Sequence, residues 1–100
     1  MSDQQAVMQV VKFSIKSDVN RDDFLALNQR FQNEVASELP GLERRESTVS
    51  EDGKVMLFLR YQDMASATVG PKADAGNEVA QQVMTMVDMS TMSAEFYPLV

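Results

Sequence analysis

The sequence predicts a ferredoxin-like α+β domain, in which four antiparallel strands in the order β-α-β-β-α-β carry both helices on one face of the sheet. Segments rich in β-branched and aromatic residues alternate with segments of helical period. Pro40-Gly41 separates the first helical segment from the residues that follow, and Asp52-Gly53 separates two strand-like segments, as a hairpin turn does. A length of 100 residues is that of one domain, so residues 1–100 are assigned to a single unit.

The first strand and the first helix have the clearest patterns. Residues 7–15 are apolar in both alternating phases, as in a central strand covered on both sides. Residues 21–39 place apolar side chains at helical spacing, with Asn20 as the predicted N-cap and acidic residues in the first turn. Because proline cannot continue the hydrogen-bond ladder, the helix is expected to end before Pro40.

The second half predicts a hairpin, an interrupted helix and a last strand. Asp63 is the predicted N-cap of the interrupted helix, and Gly70-Pro71 is the predicted break. Pro98 suits an edge strand or a strand end. The predicted elements are strands at residues 42–50 and 54–61, helical stretches at 64–69 and 73–87, and a strand within 92–100.

Composition excludes several classes of function. The chain has no cysteine and no histidine, which excludes thiolate nucleophiles, zinc-thiolate sites, Ser-His-Asp triads and histidine-held haem within it. A net charge of −6 has the wrong sign for binding nucleic acid or an anionic membrane, and the glycines form no nucleotide-binding motif. No transmembrane run or secretory signal is visible, so a cytoplasmic protein with no metal and no cofactor is expected.

Asp52-Gly53, taken as a two-residue turn, sets the register of the hairpin. Arg44 then lies opposite Tyr61, and Glu46 lies opposite Leu59, on the more apolar face that the helices cover. The other face places Arg45 opposite Arg60. A slip of one residue exchanges the two faces.

Four stretches resemble the dimeric α/β-barrel superfamily of antibiotic-biosynthesis-monooxygenase-like proteins. They are VVKFSIKSDVNRDDF, PGLERRES, SEDGKVMLFLRYQDMASA and MVDMSTMSAEFYPLV, and together they span nearly the whole chain. The resemblance implies a homodimer with a ligand cleft between helices and sheet, in a superfamily that includes cofactorless oxygenases on polyketide-like aromatics, haem-degrading enzymes and isomerases. Haem degradation by that family's mechanism is excluded, because it needs histidine and tryptophan. Tyr61 stands where the oxygenase members have a tryptophan, and residues 7–15 lack their early asparagine.

Two classes of function stay open. The first is a cofactor-independent oxygenase or isomerase, in which Arg44 holds the anion of a small aromatic or enolisable substrate, Tyr61 orients it and Glu46 is the base. Phe13, Phe24 and Met84 are the expected apolar walls of its cleft. The second is a non-catalytic ligand-binding or structural homodimer, with an ordinary Arg44–Glu46 ion pair and Tyr61 in the core.

The face of the sheet away from the helices is predicted to be covered by a second copy of the chain. Met56, Phe58 and one phase of the first strand would otherwise meet water. The alternative is a monomer with a polar open face. The closely spaced methionines near the C-terminus, Met84 among them, are interpreted as core or as an adaptable cavity wall rather than as copper(I) ligands.

Overall fold

The computed structural model describes residues 5–73 and 76–100 and confirms the ferredoxin-like fold. Its elements are β1 (Val7–Ile15), α1 (Arg21–Glu34), a 3₁₀ turn (Ala36–Glu38), β2 (Leu42–Val49), β3 (Lys54–Tyr61), α2 (Met64–Ala73), α3 (Glu78–Met86) and β4 (Val87–Pro98). The sheet has the strand order β2-β3-β1-β4, and each neighbouring pair is antiparallel. The helices lie on one face of this sheet. No helix among the described residues is long and apolar enough to cross a membrane.

Helix α1 begins where the sequence predicted and ends earlier. The Asn20 side chain accepts hydrogen bonds from the backbone N–H groups of Asp22 and Asp23, which satisfies two donors that a helix start leaves unpaired. The α-helix ends at Glu34 rather than at residue 39, and the chain tightens into the 3₁₀ turn before Pro40. Such a turn is a common way to close a helix.

The interrupted helix and the last strand differ from their predicted bounds. The Asp63 side chain caps α2 as predicted, accepting from the backbone N–H of Ser66 at 2.8 Å. The helix then continues through Gly70-Pro71 to Ala73, so the predicted break at that dipeptide is wrong. Proline has no backbone N–H to donate to the helix, and α2 ends two residues after Pro71. Helix α3 begins at Glu78, and residues 74–75 lie outside the described residues.

Strand β4 begins directly after α3, at Val87 rather than within residues 92–100. The residue after α3 is already extended, so helix and strand share no connecting loop. Ile15 pairs with Val87 and Ser14 with Asp88 before a register shift in the β1–β4 ladder. The register shift explains why the alternation of residues 87–91 did not predict a strand.

The register of the β2–β3 hairpin corrects the prediction by one residue. Val49 pairs with Val55, and the N–H of Ser50 donates to the carbonyl of Lys54 at 2.8 Å, which leaves a three-residue loop. The N–H of Gly53 donates to the carbonyl of Ser50, and Gly53 has φ +83°. A two-residue type I′ turn would need a positive φ at Asp52 as well, and Asp52 does not have one. The loop is instead a type I turn closed by a glycine bulge, which moves β2 one residue along β3.

This correction reverses the orientation of most of β2 while leaving β3 as predicted. Val55, Leu59 and Tyr61 are buried beneath the helices. Arg45 now pairs with Leu59 and shares their face. A second irregularity, between residues 42 and 44, returns Leu42 to the helix-covered face, opposite Tyr61.

The opposite surface of the sheet, here called the open face, mixes apolar side chains with ion pairs. Its apolar part consists of Met8, Val10, Met56 and Phe58, which are partly buried. Arg60 lies opposite Arg44, not Arg45, and each arginine has its own carboxylate: Arg60 binds Glu43 at 3.1 Å and Arg44 binds Glu46 at 2.8 Å. Pairing each arginine with an acid removes the repulsion between the two guanidinium groups.

Candidate ligand-binding cavity

A cavity of about 470 Å³ lies between the helices and the sheet. This volume is within the roughly 300–1,000 Å³ of pockets that bind small organic molecules. Most of the lining is apolar. The lining residues are Gln9, Val11, Phe13, Phe24, Asn28, Phe31, Leu39, Arg45, Leu57, Leu59, Tyr61, Ala80, Gln81, Val83, Met84, Val87, Met92 and Ala94.

Three of the predicted apolar walls line this cavity. The rings of Phe13 and Phe24 meet edge to face, with their centroids 6.0 Å apart, and fix the wall between β1 and α1. Met84, on α3, lies at the exposed margin of the cavity. Tyr61 also lines it and is 1% exposed, held between Leu59 and the start of α2. The contact of these four residues with a ligand stays a proposal.

The only charged side chain among the described lining residues is Arg45. Its two terminal nitrogens donate to neutral amide oxygens of α1, Nη1 to Gln32 at 3.0 Å and Nη2 to Asn28 at 2.8 Å. The guanidinium carbon lies 4.8 Å from the centre of the Phe31 ring, a cation–π geometry. The Nε atom is buried and has no hydrogen-bond partner. Two side-chain amide oxygens and one aromatic ring of α1 therefore orient the guanidinium, and none of these partners is a carboxylate.

Burial without a carboxylate partner changes the acid–base properties of Arg45. Desolvation lowers the pKa of Arg45 from its ordinary value to about 10, and the nearby Tyr61 acts in the opposite direction. A pKa near 10 leaves the guanidinium charged at neutral pH. The apolar cavity thus contains one full positive charge whose hydration has been largely removed and not replaced by an anion.

Arg44 and Glu46, the predicted anion-binding residue and base, do not lie in the cavity. The one-residue shift of β2 places both on the open face, where their side chains are 68% and 56% exposed and bind each other. The predicted placement of both residues is therefore wrong, and the physical reason is the three-residue turn. Their positions are consistent with the simpler alternative, a surface ion pair.

Among the described lining residues, sequence reasoning missed every polar one except Tyr61, namely Gln9, Asn28, Arg45 and Gln81. Arg45 was assigned to the opposite face by the register error. Gln9 lies in the middle of an apolar strand, in the same alternating phase as Val7 and Phe13, and this phase is buried beneath the helices. A polar residue in the buried phase of a strand is a signal that the sequence alone contains.

The residues present define what the cavity can do chemically. It can hold a flat apolar molecule and stabilise a negative charge on it at Arg45. No Asp or Glu occurs among its described lining residues, so the side chains identified there include no carboxylate base. Within the described part of the chain, no group of three acidic residues is placed to hold a metal ion.

Solved structures with the same fold come from several bacteria. SnoaB, a cofactor-independent oxygenase from Streptomyces nogalater, superposes with a TM-score of 0.74 at 14% identity over 96% of this chain and 94% of its own. The ActVA-Orf6 monooxygenase of Streptomyces coelicolor, solved with nanaomycin D, has a TM-score of 0.72 at 19% identity over 99% and 91%. A candidate antibiotic biosynthesis monooxygenase from Caulobacter crescentus CB15 has a TM-score of 0.78 at 14% identity over 97% and 92%.

Sequence comparison adds no closer relationship. No family model matches the chain, and no curated protein matches it. At identities of 11–19% the structural similarity establishes the fold and leaves activity to be argued from the cavity. The chain has the fold of the antibiotic-biosynthesis-monooxygenase-like proteins, as its sequence motifs indicated.

Proposed function

We propose that the protein binds a small aromatic or enolisable molecule as its anion in the cavity and oxidises it with O₂ as a cofactor-independent monooxygenase. One observation carries the proposal: Arg45 places a partly buried positive charge, with its Nε atom fully buried, in an apolar cavity, and no carboxylate of the described residues pairs with it. A phenolate, enolate or carboxylate oxygen would supply the missing charge. Charge-assisted hydrogen bonds of this kind are about twice as strong as neutral ones.

The apolar walls support a flat, ring-containing ligand. Phe13, Phe24 and Phe31 surround the cavity on the β1 and α1 sides, and Leu57 and Leu59 form part of the sheet floor. Aromatic walls favour stacking or edge contacts with an aromatic ligand. The two Streptomyces proteins of the same fold are an oxygenase and a monooxygenase, which agrees with this chemistry.

The chemical role of Arg45 follows from its charge. Stabilising the oxyanion of a bound phenol or enol lowers the pKa of the bound molecule, and its proton passes to water. The resulting carbanion donates an electron pair in stages to O₂, forms a carbon–oxygen bond and becomes a peroxide. After protonation the peroxide loses water. An activated methylene thus becomes a ketone, with one oxygen atom of O₂ in the product and the other in water.

Binding without turnover is the second candidate function, and one observation favours it. The described lining residues include no Asp or Glu to remove the substrate proton. A ligand whose proton is not acidic enough to leave to water would then be bound but not oxidised. Turnover and binding must therefore be measured separately.

Anthrone is a suitable probe because its methylene is acidic and its anion is an extended phenolate. We expect the wild-type protein to convert it to anthraquinone with one O₂ consumed for each molecule formed. Arg45→Gln should lower the rate by about a hundredfold, the usual loss when one oxyanion-stabilising donor is removed. Arg44→Gln, the adjacent arginine on the open face, is the matched control and should retain the wild-type rate.

The outcomes separate the two candidates. Wild-type oxidation that survives Arg45→Gln would contradict the role of Arg45. Saturable binding of anthrone or 2-naphthoate that Arg45→Gln weakens, without O₂ uptake by the wild type, would favour the binding protein. Absence of both binding and O₂ uptake would reject the proposed ligand class.

We also infer a homodimer in which the open faces of two sheets cover each other. The apolar strip of this face crosses two neighbouring strands, with Val10 paired to Phe58 and the neighbouring Met8 and Met56 on the same side. The flanking Arg60–Glu43 and Arg44–Glu46 pairs are already neutral, so two such faces can meet without a net charge.

A further inference from the structure

Gln9 on β1 is a second polar residue of the cavity. Apart from the phenol-bearing Tyr61, it is the only polar residue of the described chain that is buried, with 7% of its surface exposed. It lines the cavity, and its side-chain amide makes no hydrogen bond to another described residue. Among the described residues the fully buried, unpartnered side-chain atoms include Arg45 Nε and no atom of Gln9, so the Gln9 amide is accessible from the cavity.

The sheet register fixes where Gln9 lies relative to Arg45. Leu59 on β3 pairs with Gln9 on one side and with Arg45 on the other, so the three residues form one row across the sheet. All three lie on the helix-covered face. Neighbouring strands are about 4.8 Å apart, which separates the Cα atoms of Gln9 and Arg45 by about 10 Å. Leu59 provides an apolar surface between the two polar residues.

We propose that Gln9 is a specificity-determining residue that binds a second, uncharged oxygen of the ligand while Arg45 binds its anionic oxygen. The proposal rests on the proposed anion-binding function and narrows its ligand class. The ligand is a flat molecule of two or three fused rings, with an anionic oxygen at one end and a hydroxyl or carbonyl oxygen at the other. The ring system lies over Leu59 between them.

The amide of Gln9 suits a neutral oxygen better than a second anion. It presents one acceptor and two N–H donors, so it can bind a hydroxyl or a carbonyl. A site that hydrogen-bonds a ligand oxygen rejects the analogue lacking that oxygen, because its own polar group is then left unpaired. Gln9 therefore selects among aromatic anions that Arg45 alone would bind equally.

Two naphthoates that differ at one atom test this inference. The probes are 6-hydroxy-2-naphthoate, with a carboxylate and a hydroxyl at opposite ends, and 2-naphthoate, which lacks the hydroxyl. Dissociation constants are measured by titration calorimetry on the full chain at pH 7. We expect the wild type to bind the hydroxylated probe about threefold to tenfold more tightly, the usual effect of one net hydrogen bond.

Methionine is apolar and similar in length to glutamine. Gln9→Met should therefore make the dissociation constants of the two probes nearly equal while leaving the affinity for 2-naphthoate unchanged. Gln9→Leu serves as a second variant if Gln9→Met fails to fold by circular dichroism. Arg45→Gln should weaken both probes, whereas Arg44→Gln should weaken neither.

Each outcome decides something different. A wild-type protein that binds both probes equally, or a preference that survives removal of Gln9, overturns the role of Gln9 and leaves the proposed function standing. Failure of the wild type to bind either probe overturns the proposed function together with this inference. Loss of the preference in the Gln9 variants, with 2-naphthoate binding retained, supports it.

Discussion

Replacing Arg45 by methionine should leave the free energy of unfolding nearly unchanged, although the side chain is largely buried. Methionine keeps the length of the aliphatic stem and removes the guanidinium. Removing one member of a buried ion pair normally costs about 3–5 kcal/mol, because the partner charge is left uncompensated. Arg45 has only neutral partners, the amides of Asn28 and Gln32 and the ring of Phe31, so no charge is left behind.

The magnitude follows from the pKa of Arg45. The decrease from the ordinary pKa of arginine to about 10 corresponds to about 3 kcal/mol against the charged form in the folded protein. Because the folded-state pKa is the lower one, this cost is fully present below pH 10 and would diminish only as the pH rises above 10 towards the ordinary pKa of an arginine side chain. Arg45→Met removes this cost. It also removes two charge-assisted hydrogen bonds, each worth about 1.5–3 kcal/mol, and one cation–π contact worth about 0.5–2 kcal/mol. Because Arg45 is only partly buried, the lower ends of these ranges apply, and the lost contacts then total about 3.5 kcal/mol, close to the cost that is removed.

We therefore expect Arg45→Met to change the unfolding free energy by no more than about 1 kcal/mol, which corresponds to roughly 4–8 °C in Tm for a chain of this size. Urea unfolding at pH 7 measures it, with Arg44→Met as the exposed control. A loss above about 2 kcal/mol would refute the reasoning, since it would show that Arg45 stabilises the fold by its own contacts.

A second readout is ligand-induced stabilisation: 2-naphthoate at a hundred times its Kd should stabilise the wild type by about 2.7 kcal/mol and the variant far less.

Three further predictions concern the fold and the open face. Phe58→Glu should convert a dimer measured by light scattering at micromolar concentration into a monomer, because it places an unpaired charge in the inferred interface. Gly41→Ala should lower the free energy of unfolding in urea more than Gly53→Ala does. Both glycines have positive φ, which costs an alanine about 1–2 kcal/mol. Of the two, only the Cβ added at position 41 would overlap Ser66. Asn20→Ala should cost about 1 kcal/mol by the same assay, because it removes the cap of α1.

The parts of the fold that were predicted correctly are those set by local chemistry. The bounds of β1 and β3 agree with the sequence pattern residue for residue, because apolar β-branched runs end sharply at polar turns. The caps at Asn20 and Asp63 were identified because a short polar side chain before a helical period has one obvious role. The early start of β4 was not predictable in this way, since α3 passes into β4 without a turn or a breaker residue.

The candidate site was predicted only in its apolar half. Phe13, Phe24 and Tyr61 lie on strands and helices whose faces were assigned correctly, so their positions followed. The polar residues depended on the register of β2, and the dipeptide Asp52-Gly53 fits two turns that differ by one residue. The backbone selects the turn in which Gly53 alone takes a positive φ.

Arg45 and Gln9, two of the cavity residues that were not predicted, share a property that the correctly predicted residues lack. Each is placed against the apolar floor of the sheet with hydrogen-bonding capacity that the described chain does not satisfy: the Nε atom of Arg45 and the side-chain amide of Gln9. Patterning rules place apolar residues at such positions, and a protein selected for stability alone would have them there. Both residues lie in one row across the sheet and face the same cavity, which is the arrangement that the proposed shared ligand requires.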